Sequence, residues 1–264
     1  MKQLLVFGGT ADSHPLLEWL LQWDIQVTLC VASDYAGALL PPCDRLTVRV
    51  GRLDAVGMTA LITERRFDCA IDATHPYACE VTRNIRSAAR ATGLLYFRLL
   101  RPGSDAQGCV VVSSVAQAAQ HLDQSAGRVL IATGSKELAE YTRIHNFAGR
   151  CYPRVLPTAE AIEQCAALGF LQSHIIAMQG PFSQALNVAL FEQLGIETLV
   201  TKDGGAPGGF PEKLAAARAC GVQTILVRRP EDTGDTLEQL KMKLTDFLTT
   251  GQGAASGAKQ WEIP

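Results

Sequence analysis

The sequence predicts a parallel α/β protein built from two lobes, and three observations carry that reading. Short β-rich apolar runs alternate with stretches of helical spacing along almost the whole chain. Runs such as QLLVF at 3–7 and DCAID at 68–72 read as strands buried inside a sheet. The rhythm breaks near Asp123–Arg128, where Ser125 and Gly127 interrupt it, and then restarts. The 264 residues therefore divide into an N-terminal lobe over 1–125 and a C-terminal lobe over 126–250. Residues 251–264 (GQGAASGAKQWEIP) read as a frayed tail.

The elements follow in order. In the first lobe, strands are expected over 3–7, 26–32, 46–50, 68–72, 94–98 and 109–113. Helices are expected over 12–21, where Leu16, Leu17, Leu20 and Leu21 share a side, and over 54–65, 77–92 and 115–122. Asp54 is placed to cap the second of these helices and Gly93 to end the third. In the second lobe the strands are 128–133, 151–156, 175–178, 198–201 and 224–227. Its helices are 136–142, 159–168, 183–194, 211–220 and 235–249.

Composition excludes several classes. A hydrophobic fraction of 47% and a charged fraction of 19% belong to a core-forming protein, not to a disordered chain or a coiled coil. A net charge of −2 argues against a nucleic-acid binder. No apolar run reaches the ~18–20 residues that span a bilayer, and the first residues lack a secretory apolar core. A soluble, cytoplasmic protein is expected. The 8 cysteines form no CxxC pair and sit in apolar segments, so they read as core side chains, with neither a disulfide framework nor a metal site. Of 24 basic residues, 17 are Arg, the better bidentate partner for carboxylate and phosphate. This bias reflects either a GC-rich coding sequence or a ligand with many carboxylates.

Five motifs stand where strands end and helices begin. Gly8-Gly9-Thr10 follows the first strand, a turn that presents backbone N–H groups to a phosphate. It departs from the GxGxxG dinucleotide fingerprint, and a tight turn without a ligand is the competing reading. Ser33 and Asp34 end the second strand, where a ribose or its 2′-phosphate is read; Asp34 favours NADH, while Arg45 and Arg52 favour NADPH. Asp72-Ala73-Thr74-His75-Pro76-Tyr77-Ala78 crowds titratable and polar side chains at the end of a buried strand, which is costly unless they are used. His75 suits a proton donor near neutral pH, or a structural cap. In the second lobe, Thr133-Gly134-Ser135-Lys136 resembles an anion cradle. The Gly-rich loop between Lys202 and Lys213 has a backbone suited to approach a ligand closely.

Taken in order, GGT at 8–10, GRLD at 51–54, DATHPYA at 72–78, Tyr96-x-Arg98-x-x-Arg101-Pro102, TGSKEL at 133–138, Arg154-Val-Leu-Pro157, QGPFS at 179–183 and KDGGAPGGFPEK at 202–213 resemble the precorrin-6A reductase family of vitamin B12 biosynthesis, its cobalt-precorrin-6A branch included. The resemblance runs from about residue 3 to 230, and DATHPYA and the Gly-rich lysine loop are its specific parts. It implies two Rossmann-like lobes with parallel sheets and a cleft between them. It also implies NADPH- or NADH-dependent reduction of a corrin-ring double bond, with hydride added to one carbon and a proton to its neighbour. By resemblance the cofactor contacts are Gly8, Gly9, Thr10, Ser33, Gly51, Arg52 and Thr74. Asp72, His75 and Tyr77 are the candidate catalytic residues. Ser135, Lys136, Arg154, Lys202, Gly204, Gly205 and Lys213 are the candidate contacts to a polycarboxylate corrinoid. Family members often carry Glu where this chain has Asp12. Hand-over of the corrinoid to other enzymes of its pathway is a further expectation. An S-adenosylmethionine-dependent tetrapyrrole methyltransferase and a non-catalytic tetrapyrrole- or nucleotide-binding protein are the rival readings.

Overall fold

β1 (Lys2–Phe7) ends in four buried residues, Leu4 to Phe7, because helices cover both faces of the sheet it centres. With β2 (Ile25–Val31), β3 (Leu46–Val50), β4 (Cys69–Asp72) and β5 (Leu95–Arg98) it forms a wholly parallel sheet in the order β3-β2-β1-β4-β5. Side chains alternate faces along β1: Leu4 and Val6 enter one core cluster, Leu5 and Phe7 another. α1 (Ser13–Leu20) closes the first cluster with Leu16, Leu17 and Leu20. α2 (Ala55–Arg65) and α3 (Cys79–Thr92) close the second. Asp54 caps α2 by accepting from the Gly57 N–H at 2.7 Å, and Gly93 ends α3 in the left-handed region at φ +67°, as their positions in the sequence predict.

The computed structural model describes residues 1–10, 13–32, 43–101, 103, 105–205 and 208–250. The division of the chain differs from the expected one. One unit is Met1–Pro102 joined by the chain from Pro230 onward; the other is Gly103–Arg229. The boundary at 125/126 is corrected because β6 (Cys109–Val112) hydrogen-bonds to β11 (Gln223–Val227), pairing Thr224 with Cys109 and Val227 with Val112. Element order along the chain carries no record of which sheet receives a strand's hydrogen bonds. The C-terminal boundary moves for a similar reason. α9 (Leu237–Thr250) packs Leu240, Leu244 and Phe247 into the same cluster as α1. Phe247 meets Phe97 edge-on at 6.1 Å. The expected tail 251–264 lies outside the described residues.

In the second unit, β6 leads through α4 (Val115–Asp123) to β7 (Arg128–Ala132). The single turn α5 (Phe147–Arg150), β8 (Cys151–Val155), α6 (Ala159–Ala167), the two-residue β9 (Ile176–Ala177), α7 (Gln184–Leu194), β10 (Ile196–Lys202) and α8 (Phe210–Ala219) follow. The sheet is parallel throughout, in the order β6-β11-β10-β7-β8-β9. The helix expected over 136–142 is instead a 3₁₀ segment, Leu138–Arg143. Leu138, Tyr141 and Ile144 are all buried, and a three-residue repeat places all three on one side.

Two parallel sheets with helices on both faces are the architecture the sequence predicts. Each sheet has one point where successive connections run to opposite sides. In the first it lies between β1 and β4, in the second between β7 and β10. Crevices for ligands open at the carboxyl ends of strands at such points.

Candidate functional site

At the first switch point, β1 ends in Gly8-Gly9-Thr10 and β4 in Asp72-Ala73-Thr74-His75. The two loops are tied together: the Thr10 hydroxyl donates to the Ala73 carbonyl at 3.2 Å. Gly8 has no room for a side chain, since a Cβ there would stand 3.0 Å from the Ser13 Cβ and Oγ. Gly9 holds φ at +98°, a conformation glycine adopts at little cost. Ser13 Oγ accepts from the Gly9 N–H at 3.2 Å and donates to the Thr10 carbonyl at 2.7 Å, so the turn is braced from inside α1. The residues fit a dinucleotide phosphate: a turn with no side chain at Gly8 stands before the N-terminus of α1. Gly51, at φ +124°, and the exposed Arg52 follow the edge strand β3, whose neighbour β2 leads to Ser33. Ser33 itself lies outside the described residues, as do Asp12 and Asp34.

Asp72 does something other than expected. Its carboxylate is 0% exposed and bound on both oxygens. Oδ1 accepts from the Thr74 N–H (3.0 Å), the Thr74 hydroxyl (2.6 Å) and Arg98 Nη1 (2.8 Å); Oδ2 accepts from the Tyr96 hydroxyl (3.2 Å). The geometry therefore gives Asp72 a structural place where a proton donor was expected, because both of its oxygens are taken up by hydrogen bonds inside the fold, one of them by a guanidinium. Thr74 is committed to the same network, which accounts for its hydroxyl without a cofactor. Arg98, 3% exposed, also donates from Nη1 to the carbonyls of Asp72 (3.1 Å) and Thr74 (2.9 Å), and from Nε to Asp232 at 2.9 Å. Asp232 in turn pairs with Arg86. Burial, with the Asp72 charge added, pushes the Tyr96 phenol far above its ordinary value.

His75 and Tyr77 differ from Asp72: both are half-buried, with rings stacked at 5.6 Å. The Tyr77 N–H donates to His75 Nδ1 at 3.3 Å, which leaves Nε2 carrying the proton in the neutral ring. Helix α3 begins at Cys79, two residues later than expected, because the backbone first turns through a bond from the Ala78 N–H to the His75 carbonyl. Cys79 is exposed there, a correction to the reading of all eight cysteines as core; all eight are free thiols.

At the second switch point, Gly134 (φ +85°), Ser135 and the exposed Lys136 follow β7. Lys202, Gly204 and Gly205 belong to the end of β10 and its loop. Lys202 pairs with Glu137, which links the two loops. Asp203, 5% exposed, shapes the glycine loop by accepting from the Gly205 N–H (3.2 Å) on one oxygen and from Arg229 Nη2 (2.5 Å) on the other. A Cβ at Gly204 would lie 3.3 Å from the Gly208 Cα, so the loop is folded tightly on itself. The Thr133 hydroxyl is taken up within the fold, hydrogen-bonded to the Tyr141 hydroxyl at 3.2 Å.

Arg154 and Lys213 lie deeper. Arg154 (6% exposed) donates from Nη1 to Asn187 Oδ1 at 2.9 Å and lies 4.4 Å above the Phe182 ring. Lys213 (8% exposed) donates to the Thr201 hydroxyl at 3.3 Å. Among the described residues neither has a carboxylate within ion-pair reach. Burial lowers the Arg154 guanidinium to about 10. Burial and then the Arg154 charge lower Lys213 to about 8.

The family model described as precorrin-6x reductase CbiJ/CobK matches residues 3–246. The chain belongs to the precorrin-6x reductase family. A cobalt-precorrin-6A reductase of Salmonella typhimurium is 35% identical over 258 residues, covering 96% of this chain and 97% of that protein. The Methanothermobacter thermautotrophicus protein of the same name is 34% identical, covering 86% and 76%. A solved structure, CobK precorrin-6A reductase, superposes with a TM-score of 0.75 at 28% identity, covering 93% of this chain and 97% of that one. The family, the reductase class and the paired Rossmann-like sheets expected from DATHPYA and the lysine loop are thereby borne out. No helix among the described residues is long and apolar enough to cross a membrane.

Several residues that build the site carry no role in the sequence reading. Arg98 stands in the Tyr96-x-Arg98 motif and had a signal of its own, since a charged residue ends an otherwise apolar strand and sits in register with Asp72. Phe182 stands in QGPFS, and Ser13 and Asn187 had no signal beyond their cap and turn positions. Asp232 lies 134 residues from Arg98, and nothing local marks it as that residue's partner.

Proposed function

We propose that this chain reduces a ring double bond of a precorrin-6A-type polycarboxylate corrinoid, with NADPH as the preferred nicotinamide cofactor. The observation that carries the reading is the joined pair of loops at the first switch point. A glycine turn suited to phosphate is bonded through Thr10 to the loop that presents His75 and Tyr77. Gly8, Gly9 and Thr10 hold the cofactor's phosphates, with Ser33 and Gly51 at the ribose. Arg52, free of burial at the end of β3, is the cation for a 2′-phosphate, which favours NADPH over NADH. When bound, the nicotinamide supplies the hydride. His75, with its proton on Nε2, supplies the proton to the neighbouring ring carbon, and Tyr77 holds the imidazole by stacking. Asp72 and Arg98 fix the backbone on which both stand. In the second unit, Ser135, Lys136, Lys202, Gly204 and Gly205 receive the substrate's carboxylates. Cytoplasmic placement and hand-over of the product to the next corrinoid enzyme complete the reading.

The test is turnover of precorrin-6A and cobalt-precorrin-6A with NADPH and with NADH, together with binding titrations of both cofactors and of S-adenosylmethionine. Reduction with NADPH, and no binding of S-adenosylmethionine, is expected. Binding of neither nicotinamide overturns the reading. An Arg52→Ala variant that loses affinity for NADPH but not for NADH identifies the 2′-phosphate contact.

A further inference from the structure

Among the described residues, two cations in the second unit have no carboxylate within ion-pair reach. Arg154 on β8 and Lys213 on α8 are each more than nine-tenths buried, and each is held by a neutral oxygen. An uncompensated buried cation is costly, and two near each other cost more. The fold nonetheless holds both in place. Asn187, 0% exposed, anchors the guanidinium while its own amide donates to the Ser183 carbonyl at 2.8 Å. Phe182 lies against the guanidinium face, so the fork is oriented rather than mobile. The charges around Lys213 are few. The Arg154 charge on β8 raises the cost of its proton; the charges of Glu212 on α8 and Asp203 in the loop after β10 offset that in part. Asp203 is already spent on Arg229.

We propose that Arg154 and Lys213 together form a buried receptor for one side-chain carboxylate of the tetrapyrrole. The inference rests on the substrate reading above and sharpens it. The exposed Lys136 and the half-buried Lys202, already paired with Glu137, serve an anion at the rim, whereas this pair holds one carboxylate out of water. A carboxylate between the two cations lowers their summed charge from +2 to +1, offers two oxygens to the guanidinium fork and the ammonium, and keeps Lys213 protonated. Binding is accordingly strongest below about pH 8, where Lys213 already carries its proton.

The experiment uses cobyrinic acid, a corrin heptacarboxylate, and its heptamethyl ester as probes, titrated into the wild type, Lys213→Met, Arg154→Gln and the double variant. The acid is expected to bind and the ester to bind at least about tenfold more weakly. Each single variant is expected to lose about tenfold or more in affinity for the acid. The double variant is expected to lose much less than the product of the two, because both residues hold the same group. Loss of affinity above pH 8 is expected in the wild type and absent in Lys213→Met. The ligand-free Lys213→Met protein is expected to melt no lower than the wild type, since it sheds an unpaired charge. Equal binding of acid and ester, unchanged affinity in the variants, or a marked drop in melting temperature in both single variants each overturns the proposal. Turnover with NADPH by the wild type separates these failures from failure of the reductase reading itself.

Discussion

The two units bury charge in opposite ways. In the first, Asp72, Arg98, Asp232 and Arg86 form an alternating chain of anion and cation, and no carboxylate in it lacks a guanidinium. In the second, Asp203 is matched by Arg229, but among the described residues Arg154 and Lys213 have only neutral hydrogen-bond partners. The same elementary cost of burying an ion is met within the chain in one case and left open in the other. A compensated network holds backbone: Arg98 grips two carbonyls of the loop bearing His75, and through Asp232 it ties β5 to the segment returning from the second unit. An uncompensated pair is a receptor waiting for its counter-ion.

The comparison breaks most sharply at Arg98. Arg98→Met strands Asp72 and Asp232 and is expected to cost about 3–5 kcal/mol of stability, read from urea midpoints. A loss below about 1 kcal/mol means the network is not what holds the first unit together. Next comes the loop it supports. His75→Ala is expected to lower kcat about a hundredfold at unchanged NADPH affinity, whereas Tyr77→Phe, which keeps the stacked ring, retains most of the activity. A Gly8→Ala substitution presses a methyl against Ser13 and is expected to cost about 1–3 kcal/mol and to weaken NADPH binding, measured by melting and titration. The smallest effect tests the open charge. Lys213 has its folded value near 8, below the ordinary 10.5. Between these values the unfolded chain holds a proton that the folded chain has released, so this group makes stability rise with pH across that window. The difference in unfolding free energy between ligand-free wild type and Lys213→Met, read from urea midpoints, is expected to change from pH 8 to 10 in favour of the wild type, by an amount on the order of 1 kcal/mol, and to stay level below pH 8.

Much of the fold was legible because it is local. Apolar runs bounded by turn residues marked every strand, and Asp54 and Gly93 marked helix ends by their own backbone chemistry. The candidate site was legible as motifs at strand ends: GGT, DATHPYA, TGSK and the glycine loop all stand at the two switch points. The roles inside them were less so. Asp72 and His75 are three residues apart and look alike as candidates for proton transfer, yet one is sealed against Arg98 and the other stands half-exposed.

By itself, then, the sequence determined the strand and helix succession, the parallel α/β class, the family and the loops that carry chemistry, because hydrophobic period, caps and glycine turns act within a few residues. Tertiary structure alone decided where the units divide, since β6 finds its partner β11 more than 100 residues later and α9 returns to the core of the first unit. It also decided which charges are spent and which are free to bind. Whether a buried ion is neutralised depends on what the fold brings within about 4 Å of it, and no spacing along the chain records that distance.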